Sequence, residues 1–223
     1  MTEISLAENV TTTMKRILIV DDHELVRDGI RRIFDEQPGT VAFGQAGTAA
    51  EALSLARDED WDIVVLDLSL GERSGLEVLK ELKQIRPRLP VLILSMHSEE
   101  QYARRAFKGG AGGYITKDSP RTELLKAIDN VIKGGRYVSA TLAEKLVFDI
   151  ERGTDRPPHE ALSDREFEVM KLIASGKKVS EIAGILSLSD KTISTYRARI
   201  LEKMNLKTNA EIIRYAIQNK LVD

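Results

Sequence analysis

The sequence of 223 residues predicts an α/β fold for its longer N-terminal part, an open parallel sheet wound with helices on both faces, followed by a small all-α part of four helices. Three observations carry this. Between residues 16 and 134, short β-branched runs alternate with amphipathic stretches. Runs such as Ile63-Val64-Val65-Leu66 show no polar alternation, as expected of strands buried on both faces. After Pro157-Pro158 the β-rich pattern stops and helical spacing takes over.

Five strands are expected at Ile17–Val20, Val41–Ala46, Ile63–Leu66, Val91–Leu94 and Gly113–Ile115. Helical stretches lie between and after them near 24–36, 48–59, 75–86, 99–108 and 120–133, punctuated by Asp21-Asp22-His23, Pro38-Gly39, Pro87–Pro90 and Ser119-Pro120. Five βα units joined this tightly predict a five-stranded sheet of flavodoxin-like order. Gly134-Gly135 ends the last of these helices. A further piece, Ala140–Ile150, sets Leu142, Leu146, Val147 and Ile150 at helical spacing, and Gly153–Pro158 reads as a linker, flexible and then stiff. The expected organisation is a disordered, Thr-rich extension over 1–14, an α/β domain over 15–136, a linker with a helical segment over 137–158, and a helical domain over 159–223. In that last domain, helices are expected near 163–175, 179–187, 190–204 and 208–219.

Composition narrows the function classes. There is no cysteine, which excludes a disulfide scaffold, a thiolate metal site and a cysteine nucleophile. No apolar run has the length of a membrane span, and the N-terminal stretch lacks a signal-peptide pattern, so a cytoplasmic protein without membrane partners is expected. The formal charge of −2 hides a division. From Pro158 onward there are 11 Lys/Arg against 9 Asp/Glu, and the first 157 residues hold 22 against 26. Ser189–Lys220 is more basic still, with seven bases against three acids.

In open α/β sheets, ligands gather outside the carboxyl ends of the strands. Asp21 and Asp22 follow the first expected strand, Asp67 the third, Ser95 ends the fourth, and Lys117 follows the fifth. Singly these residues have plain readings: an Asp beyond a strand often caps the next helix, a lone lysine is usually solvated, and a serine there is often a turn residue. Together at successive strand ends they read differently. Converging carboxylates repel one another unless a cation neutralises them, and oxygen ligands of this kind suit Mg²⁺. Beside a metal and a lysine, an aspartate can attack a phosphoryl donor and hold an acyl phosphate.

The segments ILIVDDHELVRDGI, DIVVLDLSL and VLILSMHSEEQYARRAFKGGAGGYITKD resemble the receiver domain of bacterial response regulators over about residues 15–135. That resemblance implies Asp67 as phosphoacceptor, with Mg²⁺ held by Asp21, Asp22, Asp67 and the backbone carbonyl of Ser69. It also implies that Ser95 and Lys117 bind the phosphoryl oxygens, and that Tyr114 is the aromatic that changes rotamer when Ser95 is recruited. The chain departs from the common receiver pattern at Leu70-Gly71 and Ser74-Gly75 after the phosphoacceptor, and at Asp118 after the lysine.

In the helical part, Ser163 and Glu166 form the pattern of a capping box, ahead of Val169, Leu172 and Ile173 on an inward face. Gly176 stops that helix. Ile182, Ala183 and Leu186 mark a short second helix. After the turn Ser187-Leu188-Ser189, a longer helix buries Ile193, Ile200, Leu201 and Met204. This is a helix-turn-helix outline, whose second member enters the major groove. Its other face carries Lys191, Thr192, Ser194, Thr195, Tyr196, Arg197 and Arg199, which suits base edges and phosphates, or equally a solvated charged face.

The stretch LSDREFEVMKLIASGKKVSEIAGILSLSDKTISTYRARILEKMNLKTNAEIIRYA resembles the DNA-binding domain of the NarL/FixJ, or LuxR-type, response regulators. The resemblance implies that Ser194, Thr195 and Ala198 approach bases of double-stranded DNA, while Lys191, Arg197, Arg199 and Lys207 face phosphates or flanking bases. Tyr196 stands in place of a more usual His and Ser194 in place of a frequent Lys, so a base preference does not transfer. The last helix, with Ile212, Ile213, Ala216 and Ile217, either packs on the other three or pairs two copies of the chain.

The expected function is a DNA-binding transcriptional regulator controlled by phosphorylation. Its expected partners are a sensor histidine kinase or phosphotransfer protein, DNA, and a second copy of itself on phosphorylation or DNA binding. It is expected not to be an enzyme. Two other readings stand beside it. One is a Mg²⁺-dependent phosphatase or phosphotransferase, against which Ser69 occupies the place of the usual second carboxylate. The other is a receiver whose helical domain is a protein adaptor. In this group the unphosphorylated receiver often masks the recognition helix. His23, His97 and His159 are widely spaced without cysteines and do not read as a zinc site.

Overall fold

The structure, a computed structural model, describes residues 14–34, 41–71, 73–96, 99–139, 143 and 157–222. The extension over 1–13 and nearly all of the helical segment expected over 140–150 lie outside the described residues.

The α/β domain runs β1 (Lys15–Val20), α1 (Glu24–Ile33), β2 (Val41–Ala46), α2 (Ala49–Asp58), β3 (Ile63–Asp67), a hairpin of β4 (Ser69–Leu70) and β5 (Arg73–Ser74), α3 (Gly75–Ile85), β6 (Val91–Ser95), α4 (Glu99–Lys108), β7 (Gly113–Thr116) and α5 (Arg121–Ile132). The sheet order is β2-β1-β3-β6-β7, all parallel, which is the doubly wound order predicted. Every residue of β3 and β6 is buried, as their unbroken apolar sequence requires. Alternate residues serve opposite faces. Leu18, Val20, Val64, Leu66, Val91, Ile93 and Tyr114 pack with α2, α3 and α4. Ile17, Ile19, Ile63, Val65, Leu92, Leu94 and Ile115 pack with α1 and α5. The short β4–β5 hairpin was not expected, because two-residue strands leave no periodic signal.

The helical domain opens with a 3₁₀ turn (Pro158–Ala161), followed by α6 (Asp164–Ala174), α7 (Val179–Ile185), α8 (Asp190–Lys203) and α9 (Asn209–Gln218). The capping box expected at Ser163 forms in full: its side chain accepts from the Glu166 N–H, and the Glu166 carboxylate accepts from the Ser163 N–H. Gly176 ends α6 in the left-handed region, at φ 80°.

Helix α6 differs from the sequence reading in one respect. Not only Val169 and Ile173 but the whole run Asp164–Met170 is buried, charged residues included. The second cover is the α/β domain. Arg105 on α4 donates to the carbonyls of Leu162 (2.8 Å) and His159 (2.7 Å) and to the Asp164 carboxylate (3.1 Å), and its guanidinium lies over the Phe167 ring at 4.2 Å. Lys80 on α3 pairs with Asp164 at 2.7 Å, and Tyr102 meets Phe167 edge-on with centroids 5.6 Å apart. A charged helix face buries here because each charge has a partner, without which burial costs several kcal/mol.

His159 sits in this junction, hydrogen-bonded through Nδ1 to the Tyr215 hydroxyl at 2.9 Å. Burial, together with the nearby Arg105 charge, pushes its imidazole down to about 4. The unfolded chain takes up that proton near 6.5, so the contribution of a neutral His159 is complete above about 6.5 and is lost as pH falls towards 4. Thermal unfolding of the full chain is therefore expected to lose less stability between those pH values in His159→Phe than in the unsubstituted protein. Parallel pH profiles for the two would count against this.

Candidate functional site

The parallel register brings the ends of β1, β3, β6 and β7 to one edge. Val20 pairs with Leu66, Asp67 with Leu94, and Ser95 with Thr116, so the residues just beyond converge. Asp21 and Asp67 are each only 2% exposed, whereas Asp22 lies at the surface. Oxygens of Asp21, Asp22 and Asp67 and a ring nitrogen of His23 all lie within 4.8 Å of one another. Lys117 reaches in from the end of β7, with Nζ at 2.6 Å from Asp21 and 2.8 Å from Asp67.

Local structure holds these groups in place. Asp21 is not the cap of α1; that position is His23, whose N–H donates to the Asp21 carboxylate at 2.9 Å. Arg27 donates to the Asp21 backbone carbonyl at 2.6 Å, a contact no sequence pattern announced. Beyond Asp67 the hairpin turns back so that Gly75 donates its N–H to the Leu68 carbonyl. A Cβ on Gly75 would fall 2.1 Å from the Asp67 carbonyl oxygen, so only glycine lets α3 begin there.

The electrostatics call for a cation. Two like charges about 4 Å apart repel by about 4 kcal/mol at an effective dielectric near 20, well above the roughly 1 kcal/mol a typical hydrogen bond contributes. One ammonium cannot neutralise three carboxylates. Burial pushes Asp67 up to about 6, with the Asp21 charge adding to the rise and Lys117 opposing it through its hydrogen bond and charge. Burial works against the Lys117 ammonium, but its hydrogen bonds and ion pairs with Asp21 and Asp67 outweigh this and raise its pKa. Among the described residues, Oδ1 of Asp67 is buried with no hydrogen-bond partner. A buried carboxylate oxygen left open toward two further acidic groups suits a divalent cation with oxygen ligands.

Ser95 and Tyr114 are fully buried at this edge and beneath it. Ser69 opens β4, and its backbone hydrogen-bonds Asp67. All seven residues singled out in the α/β domain thus lie at or directly under one strand edge. His23 is the addition: its Nδ1 lies 2.7 Å from an Asp22 oxygen, and a lone histidine beside two aspartates gave no distinct signal. His97 falls outside the described residues.

In the helical domain, the turn between α7 and α8 passes through Ser187 at φ 53°, and Ser189 caps α8 by accepting from the Thr192 N–H at 3.1 Å. Ile193 and Ile200 are buried beneath α8, while Lys191, Ser194, Thr195, Ala198 and Arg199 face solvent, as does Lys207 beyond it. Thr192 is engaged by the cap, its hydroxyl 2.8 Å from that of Ser189. Tyr196 is half-buried against the core, and Arg197 is turned toward Asn209 of α9, to which its Nε donates at 2.5 Å. In the last helix Ile212 and Ala216 are core, whereas Ile217 is 55% exposed. The α/β domain covers α6 here, not α8.

Residues 17–129 match the model of the response regulator receiver domain, and residues 160–216 match the model of the bacterial regulatory proteins of the luxR family. The chain belongs to the LuxR-type response regulators. It is 36% identical to the response regulator GacA of Pseudomonas protegens over 210 residues, covering 94% of this chain and 99% of that one. It is 34% identical to the response regulator UvrY of Escherichia coli over 209 residues, covering 93% and 96%. Among solved structures it resembles the RcsB response regulator of Salmonella typhimurium, with a TM-score of 0.63, 26% identity and coverage of 91% and 96%. A structure of an RcsB–DNA complex matches with a TM-score of 0.56, 26% identity and coverage of 91% and 97%. The acidic edge thus lies in the receiver domain and α8 in the LuxR-type domain. No helix among the described residues is long and apolar enough to cross a membrane.

Since Lys117 does more than the Ser69 backbone hydrogen bond to hold Asp67 down, Lys117→Met is expected to move the Asp67 ionisation upward from about 6 in the metal-free protein. A ¹³C carboxyl titration by NMR reads this directly. A downward or absent shift would contradict the assignment of Lys117 as its counter-ion.

Proposed function

We propose that Asp67 accepts a phosphoryl group from a phosphohistidine on a sensor kinase or phosphotransfer protein, and that this event controls binding of α8 to double-stranded DNA. The observation that carries the reading is the buried, unpartnered Oδ1 of Asp67, set among Asp21, Asp22 and Lys117 at the strand ends. In the transfer, an Asp67 oxygen bonds to phosphorus as the phosphorus–nitrogen bond breaks. The imidazole leaves with a proton, and an acyl phosphate remains on the chain.

Asp21, Asp22, Asp67 and the backbone carbonyl of Ser69 are the groups that would hold Mg²⁺. Bound there, the ion neutralises charge on the phosphoryl oxygens. Lys117 already donates to Asp67 at 2.8 Å, and a phosphoryl oxygen can take over that donation. Ser95, at the end of the neighbouring strand, is the second phosphoryl contact. Tyr114, directly beneath the edge, is the packing group whose rotamer follows Ser95. Ser69 in the place of a second carboxylate argues against a turnover enzyme, since it cannot act as the acid or base that hydrolysis needs.

On the DNA side, Ser194, Thr195 and Ala198 are short exposed residues that let α8 approach base edges, and Lys191, Arg199 and Lys207 are exposed cations for phosphates. Thr192, Tyr196 and Arg197 contribute at the margin of that surface, because each also has a structural contact. Exposed Ile217 marks the part of α9 available to pair two copies on DNA. The DNA complex of the similar protein RcsB supports this reading. DNA as target, without a membrane helix among the described residues, accords with work in the cytoplasm.

Two experiments test the proposal. Asp67→Asn is expected to abolish labelling by a ³²P-phosphohistidine donor in the presence of Mg²⁺, and persistent labelling of that variant would defeat the assignment. Arg199→Ala is expected to weaken binding to genomic fragments and to reduce the slope of log affinity against log salt by about one. An unchanged slope would remove Arg199 from the phosphate contacts.

A further inference from the structure

The phosphoacceptor edge and the helix-turn-helix are joined by one side chain. Arg165, on the first turn of α6, is 3% exposed and belongs to the DNA-binding domain. Its Nη2 donates to the backbone carbonyl of Gly71 at 2.8 Å. Gly71 lies at the tip of the β4–β5 hairpin, two residues beyond Ser69, and a Cβ there would lie 3.9 Å from an Asp22 carboxylate oxygen. The same Nη2 lies 3.4 Å from the carbonyl of Leu186, the residue that closes α7 just before the helix-turn-helix turn. Nη1 is held by the Glu168 carboxylate at 2.6 Å.

We infer that Arg165 is a positioning residue for the phosphoacceptor site, supplied by the DNA-binding domain. By fixing Gly71 it holds the loop from Ser69 to Gly71 in the place from which that loop can close around a divalent cation. The inference rests on the reading of Asp67 and its neighbours as the metal and phosphoryl site. Gly71 occupies the left-handed region, at φ 54°, and is the least conformationally restricted residue type. A loop turning on such a residue loses entropy when it closes on an ion, unless something has already ordered it. Arg165 does so through a rigid planar group that a lysine cannot reproduce.

A competing effect has the opposite sign, because a guanidinium near the site would repel an incoming cation. Glu168 removes most of it. Burial pushes the Glu168 carboxyl up, but the charge and hydrogen bond of Arg165 oppose this, and the two side chains form a buried ion pair. What remains is the hydrogen bond to the loop. Coupling is reciprocal: if docking of α6 favours a metal-ready loop, then metal and phosphoryl occupancy at Asp67 act back, through Gly71 and Arg165, on the carbonyl that precedes the helix-turn-helix turn. The domain that reads DNA is then part of the site that is phosphorylated.

The test measures Mg²⁺ affinity of the full chain by titration calorimetry. Three comparisons are made with the unsubstituted protein, and circular dichroism verifies folding. Arg165→Met combined with Glu168→Leu removes the buried pair without stranding a charge. It is expected to weaken Mg²⁺ binding about fivefold, the net worth of one hydrogen bond. Arg165→Lys, which keeps the charge but not the fork, is expected to remain weakened. Arg105→Ala, which loosens the docking of α6 without touching Arg165, is expected to weaken Mg²⁺ binding in the same direction. Unchanged affinity in the paired variant, or full affinity in Arg165→Lys, would overturn the role of Arg165 while leaving the acidic site intact. Absence of saturable Mg²⁺ binding by the unsubstituted chain, or binding undiminished by Asp67→Asn, would overturn the reading of the site and this inference with it.

Discussion

The parallel sheet aligns the ends of its strands, and that alignment forces negative oxygens together at one edge. A carboxylate buried beside another cannot relax by turning to water, because Asp21 and Asp67 are almost wholly enclosed. Lys117 satisfies part of this demand by bridging both. The remainder is the charge that the proposed cation and phosphoryl group would meet. This edge is electrostatically frustrated: Asp67 is raised toward neutrality by burial, held down by Lys117 and by the Ser69 backbone hydrogen bond, and keeps one oxygen without a hydrogen-bond partner among the described residues.

The edge stands on a buried layer of the sheet. Beneath it, β3 and β6 are buried throughout, in a closely packed interior. Tyr114 is fully buried, and Tyr102, packed on the same face of the sheet, touches Phe167 of α6. The hairpin after Asp67 touches Arg165. One aromatic and one polar contact from the α/β domain therefore reach the same helix. Both contribute to the burial of α6 along one continuous run of seven residues, together with its packing on α8 and α9.

Covering α6 leaves α8 open. The exposed Lys191, Ser194, Thr195, Ala198 and Arg199 are available in the arrangement described here, so docking of the domains in itself does not occlude them. Ile217 is likewise exposed, on α9.

The local elements were determined by the sequence. Unbroken apolar runs are buried on both faces in β3 and β6, and the five strands of the parallel sheet could be placed to within a residue or two, though the β4–β5 hairpin could not. The caps at Ser163 and Ser189 form between near neighbours and need no tertiary context. The set Asp21, Asp22, Asp67, Ser95 and Lys117 was readable because strand order places successive carboxyl ends together. Tertiary structure alone decided which charged residues are not surface. Asp164 and Arg165 have the sequence signature of a solvated helix face; Arg165 also pairs locally with Glu168, but only the approach of Lys80 and Arg105 to Asp164, and of the Gly71 carbonyl to Arg165, completes their partners. Such pairings span 59 to 94 residues of chain, a separation over which no periodicity in the sequence reports. Arg197 teaches the same lesson in miniature: its place on α8 was evident, but its turn toward Asn209 depends on where the next helix packs.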